Sequence, residues 1–196
     1  MPAKTNSSAT LQLKITLIGI EPQIWRRLQV PNSFRLCCLH SAFQVALGWT
    51  DSHLHQFEKD GRHWGVPEYD EFEELDLIDE DKTELVEVLT GPGESMTYVY
   101  DFGDNWRHEV VLEEIIDAAE PLKKPVCTGG ARRCPPEDVG GVSGYQEFLE
   151  VIFDPKHEEF EHLVGWAGGP VHAEEFDVKK VNAALSKMRW PVRHRR

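Results

Sequence analysis

Strict alternation of apolar and polar residues predicts two β-strands near the N-terminus. The first run carries apolar residues at Leu11, Leu13, Ile15 and Leu17. A break at 19–22 separates it from a second alternating run over 24–30. A period of two is typical of half-buried strands. Because Arg26 falls on the apolar face of the second run, we expect its guanidinium to need a carboxylate or carbonyl partner.

Helical spacing of apolar residues begins after the second strand. The first predicted helix carries Leu36, Leu39, Phe43, Ala46 and Leu47 on one side. Gly48 is expected to end this helix. On its helical wheel Cys37 and Cys38 point away from the apolar stripe. The sequence therefore does not require these two thiols in the core.

Three further helices are predicted in the C-terminal part. Ser143 and Gln146 have the spacing of a capping box, which places the start of the first of them at Ser143. The second follows Asp154-Pro155, and the third follows Asp177. The C-terminal part is therefore expected to be helical.

Two hairpins are predicted between these helical regions. The shorter one joins 53–58 to 62–66. The longer one is aromatic, and its two strands carry on one face Met96, Tyr98, Tyr100 and Phe102, then Trp106, His108, Val110 and Leu112. A three-residue turn at 103–105 places Phe102 opposite Trp106. Its other face then has Asp101 opposite Arg107.

These elements predict an α+β fold in one domain, with a mainly antiparallel sheet that contains the aromatic hairpin, one N-terminal helix packed on it, and a helical C-terminal part. A length of 196 residues suits a single core. We expect 1–10 to be disordered, 11–188 to form the domain and 189–196 to be a basic tail. No apolar stretch approaches the roughly 18 residues of a membrane span, and no signal peptide is recognisable. The sequence therefore predicts a cytoplasmic protein that does not associate with membranes.

Charge weighs against nucleic-acid binding by the chain as a whole. The formal net charge is −13, and an acidic protein is repelled by phosphate backbones. The charge is uneven, because Glu68–Glu84 holds ten acidic residues whereas Lys179–Arg196 holds seven lysines and arginines and no acid. Contact with a nucleic acid or another anionic partner therefore remains open through the basic C-terminal tail.

Histidines and turn acids are the first candidates for chemistry. If 53–57 is a strand, His53 and His55 share one face and can bind one metal ion. His108 lies on the aromatic face of the hairpin, where burial would lower its pKa. Asp101, Asp104 and Asn105 can be metal ligands, although turn chemistry alone explains Asp104 and Asn105. Structural histidines are the alternative in each case.

The loop at 118–141 carries the second set of candidates. Cys127 and Cys134 flank a Gly-Gly turn and can be unliganded structural thiols, half of a zinc site or a small disulfide ring. Their spacing is not the C-x-x-C of a strong zinc signal. Glu137 and Asp138 can act as acid, base or ligand, or can cap the turn before the next helix.

Four blocks in this order resemble the plasmid pRiA4b ORF-3-like family over about 11–185. The blocks are Pro22–Arg27, Leu47–Phe57, Tyr98–His108 and Cys134–Gly141. The resemblance implies a compact α+β fold found on plasmids, in insertion sequences and in chromosomes, and it implies no settled activity. Some relatives are labelled transposon resolvases, but this sequence lacks a serine-recombinase pattern. Many relatives have a cysteine where this chain has Val139, which weakens a three-thiol metal site here.

Three hypotheses about function follow, and the sequence does not decide whether the protein is an enzyme. The first is a non-enzymatic binding or regulatory module for an unknown protein or small molecule. Its candidate surface comprises His53, His55, Tyr100, Asp104, Asn105, Trp106, His108, Glu137 and Asp138. The second is a metal-dependent hydrolase or nuclease, with one ion at His53, His55, Asp104, His108 and Glu137. The third is nucleic-acid binding linked to mobile elements, through the basic tail.

Overall fold

The fold is built on one mixed sheet. The structure is a computed structural model that describes residues 9–69, 76–117 and 119–190. Within these residues the strands are β1 (Ala9–Leu17), β2 (Trp25–Pro31), β3 (His55–Lys59), β4 (Arg62–Gly65), β5 (Ile78–Asp79), β6 (Ser95–Tyr100), β7 (Trp106–Asp117) and β8 (Val126–Ala131). Their order in the sheet is β5-β4-β3-β6-β7-β1-β2-β8. Every pairing is antiparallel except that of β4 with β5.

The helices of the described residues are α1 (Leu36–Leu47), α2 (Leu85–Val88), α3 (Gly141–Ile152), α4 (Phe160–Trp166) and α5 (Val178–Lys187). The predicted single-domain α+β class is confirmed. None of these helices has the length and apolar character that crossing a membrane requires. The predicted strands at 11–17 and 24–30 are β1 and β2, and their alternating burial follows the sequence pattern.

Helix α1 packs on the sheet face that carries Tyr98, whose ring lies 5.3 Å from that of Phe43. Cys37 and Cys38 are both buried, although their position off the apolar stripe did not require it. The reason is a second layer over α1. The segment before α2 hydrogen-bonds to the chain at the start of α1, where Leu36 N donates to Thr83 O at 3.1 Å. A helix covered on two sides buries more than one stripe.

The aromatic hairpin has a longer turn than predicted. β6 ends at Tyr100 and β7 starts at Trp106, and these two residues face each other. The predicted register is therefore wrong by two residues, and Phe102 lies in the turn with 47% of its surface exposed. A shift of two keeps each side chain on its face, because side chains alternate along a strand. Arg107 pairs with Glu58 at 2.6 Å instead of with a turn residue.

Asp101 causes the longer turn. Its φ is 57°, a left-handed conformation that aspartate tolerates better than most residues. Its Oδ1 accepts hydrogen bonds from Gly103 N at 2.9 Å and Asp104 N at 3.3 Å, and its carbonyl accepts one from Asn105 N at 2.6 Å. These bonds close the turn over 101–105 and remove Asp101 from the strand.

Helix α3 begins at Gly141, two residues before the predicted capping box, and its N-cap residue is Gly140 without a side-chain cap. Gly140 N donates to Asp104 Oδ2 at 3.1 Å. Gly141 has a φ of 68°, and a Cβ there would lie 2.6 Å from Asp104 O. The start of α3 is therefore pressed against the hairpin turn, and only glycine fits at this contact.

The edge strand β8 is covered by α5. Asn182 accepts from Cys127 N and donates to Cys127 O, both at 2.8 Å. Its amide thus takes the place of a neighbouring strand at that position, which protects an otherwise open edge.

Both chain ends differ from the predicted boundaries. Ala9 and Thr10 belong to β1, so the predicted disorder is wrong for these two residues. Trp190, assigned to the tail, stacks on Phe34 with 5.4 Å between ring centroids. The rest of the two predicted end segments, 1–8 and 191–196, lies outside the described residues.

Candidate functional site

Three chain segments meet beside the end of β6. They are the loop before β3, the turn of the aromatic hairpin and the loop before α3. The pairing of β3 with β6 brings the first two together, because His55 faces Tyr100 and Asp101 N donates to Leu54 O at 2.9 Å. The contact of α3 with the hairpin turn brings in the third. We call the four side chains that converge there, His53, Asp101, Glu137 and Asp138, the His53 cluster.

The cluster surrounds one imidazole nitrogen with carboxylate oxygens. His53 Nε2 lies 3.2 Å from Asp138 Oδ1, 3.7 Å from Asp101 Oδ2 and 4.0 Å from Glu137 Oε2. Ligand atoms of His53, Asp101 and Asp138 all lie within 4.8 Å of one another. Although Asp138 is within 3.2 Å, it is not aligned for a hydrogen bond, and the buried Nε2 has no hydrogen-bond partner among the described residues.

Glu137 is oriented through one of its two oxygens. Its Oε1 accepts from Thr50 N at 2.9 Å, from Thr50 Oγ1 at 3.1 Å and from Tyr100 OH at 3.1 Å. Burial raises the pKa of Tyr100, and the nearby Glu137 carboxylate raises it further, so this phenol stays protonated and acts as a donor. The other oxygen, Oε2, faces His53 and has no hydrogen-bond partner in the part of the chain described.

The two carboxylate oxygens of Asp101 likewise have different roles. Oδ1 is held by the turn, whereas Oδ2 points toward His53. Asp138 has a φ of 58°, close to that of Asp101, so both aspartates extend from left-handed backbone. The side chain of Asp138 is 71% exposed, which leaves one side of the cluster open to solvent.

His55 belongs to a different cluster, one that the sequence did not suggest. Its ring stacks on that of His40 with 3.4 Å between centroids and 5° between planes. His55 Nε2 lies 2.9 Å from Glu80, and His40 Nε2 lies 2.8 Å from Asp51. Burial lowers the pKa of His40, with a smaller contribution from His55. We call His40 and His55 the stacked histidine pair, and Asp51 and Glu80 are its two carboxylate partners.

Ligand atoms of His40, Asp51 and His55 also lie within 4.8 Å of one another, but the stacking of the two rings suits a shared ion poorly. Imidazole nitrogens bind metals in the plane of the ring, and two parallel planes 3.4 Å apart do not direct both lone pairs to one point. His53 and His55 belong to different groups of candidate ligands, so the structure does not bring these two histidines together. The physical reason is that β3 begins at His55, so the two histidines do not alternate along one strand.

Two other members of the candidate surface are inaccessible. Trp106 and His108 are 0% exposed. His108 Nδ1 lies 3.1 Å from Tyr98 O, and burial lowers the pKa of His108 to about 4. Asp104 is used to hold the start of α3, and Asn105 closes the turn in a left-handed conformation. The hairpin thus contributes Tyr100 and Asp101 to the site.

Cys127 and Cys134 are buried free thiols. Burial raises the pKa of both, that of Cys134 to about 11. Cys134 Sγ accepts a hydrogen bond from Arg26 Nη2 at 3.7 Å. Neither cysteine belongs to a group of three candidate metal ligands within the described ranges. The small disulfide ring, one of the three readings left open by the sequence, is therefore not formed.

Arg26 has the carbonyl partners predicted for it. Its Nε donates to Ala46 O and its Nη1 to Trp25 O and Ala131 O, each at 2.8 Å.

Comparison with known proteins places the chain among relatives described without an activity. Residues 9–183 match the sequence model of the family described as plasmid pRiA4b ORF-3-like protein. The uncharacterized protein y4hQ of Sinorhizobium fredii is 35% identical over 193 residues, covering 96% of this chain and 98% of that protein. The crystal structure of a protein of unknown function, MM3350 from Methanosarcina mazei Go1, aligns with a TM-score of 0.78 at 40% identity. That alignment covers 89% of this chain and 98% of the other.

Proposed function

The chain belongs to the plasmid pRiA4b ORF-3-like family, and because the relatives described above bring no activity with them, we propose a function from the site itself. We propose that the protein is a binding module whose recognition site is a divalent cation held by the His53 cluster. The observation that carries the proposal is the buried Nε2 of His53, which has no hydrogen-bond partner among the described residues and faces three carboxylates.

The spacing of the cluster suits one ion. Ligands about 2.1 Å from a metal lie roughly 3.0–3.5 Å apart at adjacent coordination positions. The distances of 3.2 to 4.0 Å around His53 Nε2 are close to this range. Three carboxylates this close also repel one another, and a divalent cation would relieve that repulsion. Small shifts of the exposed Asp138 would complete the coordination.

The ligand types favour a transition metal ion. Imidazole suits Zn²⁺, Fe²⁺ and Cu²⁺, whereas carboxylates suit Mg²⁺, Ca²⁺ and Mn²⁺. The group of His53 with Asp101 and Asp138 offers one nitrogen and carboxylate oxygens, and this mixture favours Mn²⁺ or Zn²⁺ over Mg²⁺. The exposed side at Asp138 leaves room for an oxygen atom of a partner to bind the ion, which is how such a module would recognise its target.

Isothermal titration calorimetry tests the proposal. Protein made without a His tag is stripped with EDTA and titrated with Mn²⁺, Zn²⁺ and Mg²⁺. We expect a dissociation constant below about 100 µM for Mn²⁺ or Zn²⁺ and weaker binding of Mg²⁺. A cation at about 100 times its dissociation constant should also add roughly 2.7 kcal/mol to the free energy of unfolding.

Matched variants connect the binding to the cluster. We expect His53→Ala to weaken binding by more than about 100-fold, because it removes a ligand and not merely a supporting residue. His172→Ala changes an exposed histidine outside the cluster and should leave binding intact. Asp138→Asn should weaken binding, whereas Glu109→Gln on the exposed face of β7 should not. Equal affinities for wild type and His53→Ala would refute the site.

Hydrolysis at the same ion is the second candidate, and the solvent-exposed side at Asp138 favours it, since a metal-bound water could reach a substrate there. Turnover of bis(p-nitrophenyl) phosphate or p-nitrophenyl acetate by the Mn²⁺-loaded or Zn²⁺-loaded protein would support it. Loss of that turnover in His53→Ala is required. Cation binding without turnover would support the binding module alone.

A further inference from the structure

A cavity adjoins the His53 cluster at the loop before α3, where Glu137 lines its wall. Its volume is about 410 Å³, and it is bounded by the end of α1, the loop at 133–137 and the first turn of α5. Much of its wall is apolar and aromatic. The residues that line it include Arg26, Ala46, Trp49, Cys134, Phe176 and Val181.

Arg26 brings a buried positive charge to this cavity. It is 3% exposed, and Nε and Nη1 are fully used by the three carbonyls described above. The acceptor for Nη2 is the thiol of Cys134 at 3.7 Å, which is a weak acceptor. Within the described residues no ion pair joins Arg26 to a carboxylate, and a buried charge of this kind is costly.

The acids around the cavity are committed elsewhere. Glu175 pairs with Lys180 at 2.9 Å, and Asp177 caps α5 by accepting from Lys179 N at 2.8 Å. Glu137 directs one oxygen to Thr50 and Tyr100 and the other toward His53. Among the described residues Nη2 of Arg26 therefore lacks an oxygen acceptor, and Arg26 lines a cavity large enough for a small molecule.

We propose that this cavity binds a small organic carboxylate. Its carboxylate accepts hydrogen bonds from Nη2 of Arg26, and its apolar body lies against Trp49 and Phe176. The Phe176 ring already covers the guanidinium at 4.4 Å, so the charge is shielded from water and its hydrogen bonds to an anion are strengthened. Glu137 belongs both to the cavity wall and to the His53 cluster, whereas His53, Asp101 and Asp138 do not line the cavity, so the two sites adjoin and are tested by different probes.

A pair of isosteric probes tests the proposal on the wild-type chain. Phenylacetate and the neutral phenylacetamide differ in charge and have the same size. Binding is followed by the ¹H–¹⁵N signal of the Trp49 indole, whose Nε1 donates to Pro135 O at the cavity, with Trp49→Phe used to assign it. We expect phenylacetate to bind about tenfold more tightly or better, since hydrogen bonds to charged groups are the stronger ones.

Variants decide where the probe binds. Val181→Phe fills the cavity and should abolish the shift, and Arg26→Gln should weaken binding at least about tenfold. Arg62→Gln, an arginine on β4 away from the cavity, should change nothing. If Arg26→Gln does not fold, the comparison of phenylacetate with phenylacetamide and the Val181→Phe variant still test whether the carboxylate binds in the cavity.

Three results would overturn the proposal. The first is equal binding of the acid and the amide, and the second is unchanged binding in a folded Val181→Phe protein. The third is that wild type shows no binding at phenylacetate concentrations up to about 10 mM, because a specific site should have a dissociation constant below that concentration.

Discussion

The buried His108 makes a specific prediction about stability and pH. A carbonyl oxygen can only accept, so the proton of the neutral ring is on Nδ1, which donates to Tyr98 O. Protonation would add an N–H at Nε2, and that atom has no hydrogen-bond partner in the described residues. The surroundings include the rings of Trp49 and Tyr98. The folded protein therefore resists protonation of His108.

The size of the loss in free energy of unfolding follows from the pKa of His108. Burial lowers the pKa of His108 from 6.5 to about 4. Between these values the unfolded chain binds the proton and the folded chain does not, so the free energy of unfolding falls as pH falls. At 1.36 kcal/mol per unit, the loss is roughly 3 kcal/mol between pH 6.5 and 4. Above about pH 6.5 His108 contributes no slope.

Urea unfolding at intervals from pH 8 to 4.5 measures this slope. His108→Asn places an amide nitrogen about where Nδ1 stands and removes the titration, so its stability should fall less steeply below pH 6.5 than that of wild type. His40, whose pKa is also lowered by burial, leaves a residual slope in both proteins. His172→Asn is the matched control and should keep the wild-type slope. If His108→Asn keeps it as well, the reasoning is wrong.

Three further predictions concern contacts that position the site. Gly141→Ala should lower the free energy of unfolding by about 1–3 kcal/mol, because its Cβ would strike the carbonyl of the hairpin turn, whereas Gly91→Ala, with nothing within 4 Å, should cost little in the same urea assay. Asn182→Ala removes both hydrogen bonds to the β8 backbone and should cost about 1–3 kcal/mol; the control Ser186→Ala removes one exposed bond and should stay near wild type. Asp101→Asn keeps an acceptor for the turn and tolerates its backbone angle, so calorimetry should find weakened cation binding with thermal stability nearly unchanged; a large loss of stability would show that the charge serves the turn.

Local patterns predicted the elements of this fold well and their boundaries less well. Alternation identified β1, β2 and both faces of the aromatic hairpin, because a strand buried on one side of a sheet has apolar residues at every second position. The hairpin register required knowing that Asp101 adopts a left-handed conformation. The burial of Cys37 and Cys38 required knowing that a second layer covers α1. Both depend on hydrogen bonds that apolar spacing does not reveal.

The sequence named most residues of the candidate site, but it did not predict which of them lie together. His53, Tyr100, Glu137 and Asp138 were named from the sequence, but the grouping of His53 with His55 and His108 is not what the structure has. No local signal distinguishes His53 from His55, since which histidine meets the carboxylates depends on where β3 begins. His40 lies 15 residues before His55 in the chain and could be associated with it only through the packing of α1 on the sheet.

The stacked histidine pair gives the His53 cluster a rigid support. Asp51 contacts His40 through its side chain and donates its backbone N–H to Gln44 Oε1 at 2.9 Å, while Ser52 N donates to Tyr100 OH at 3.1 Å. The loop that carries His53 is therefore tied to α1 at Asp51 and to β6 at Ser52, directly before the histidine. A ligand held by such supporting contacts loses little conformational freedom on binding an ion. The polar core below the cluster thus has a physical role in the proposed function, because it holds in place the loop that carries His53.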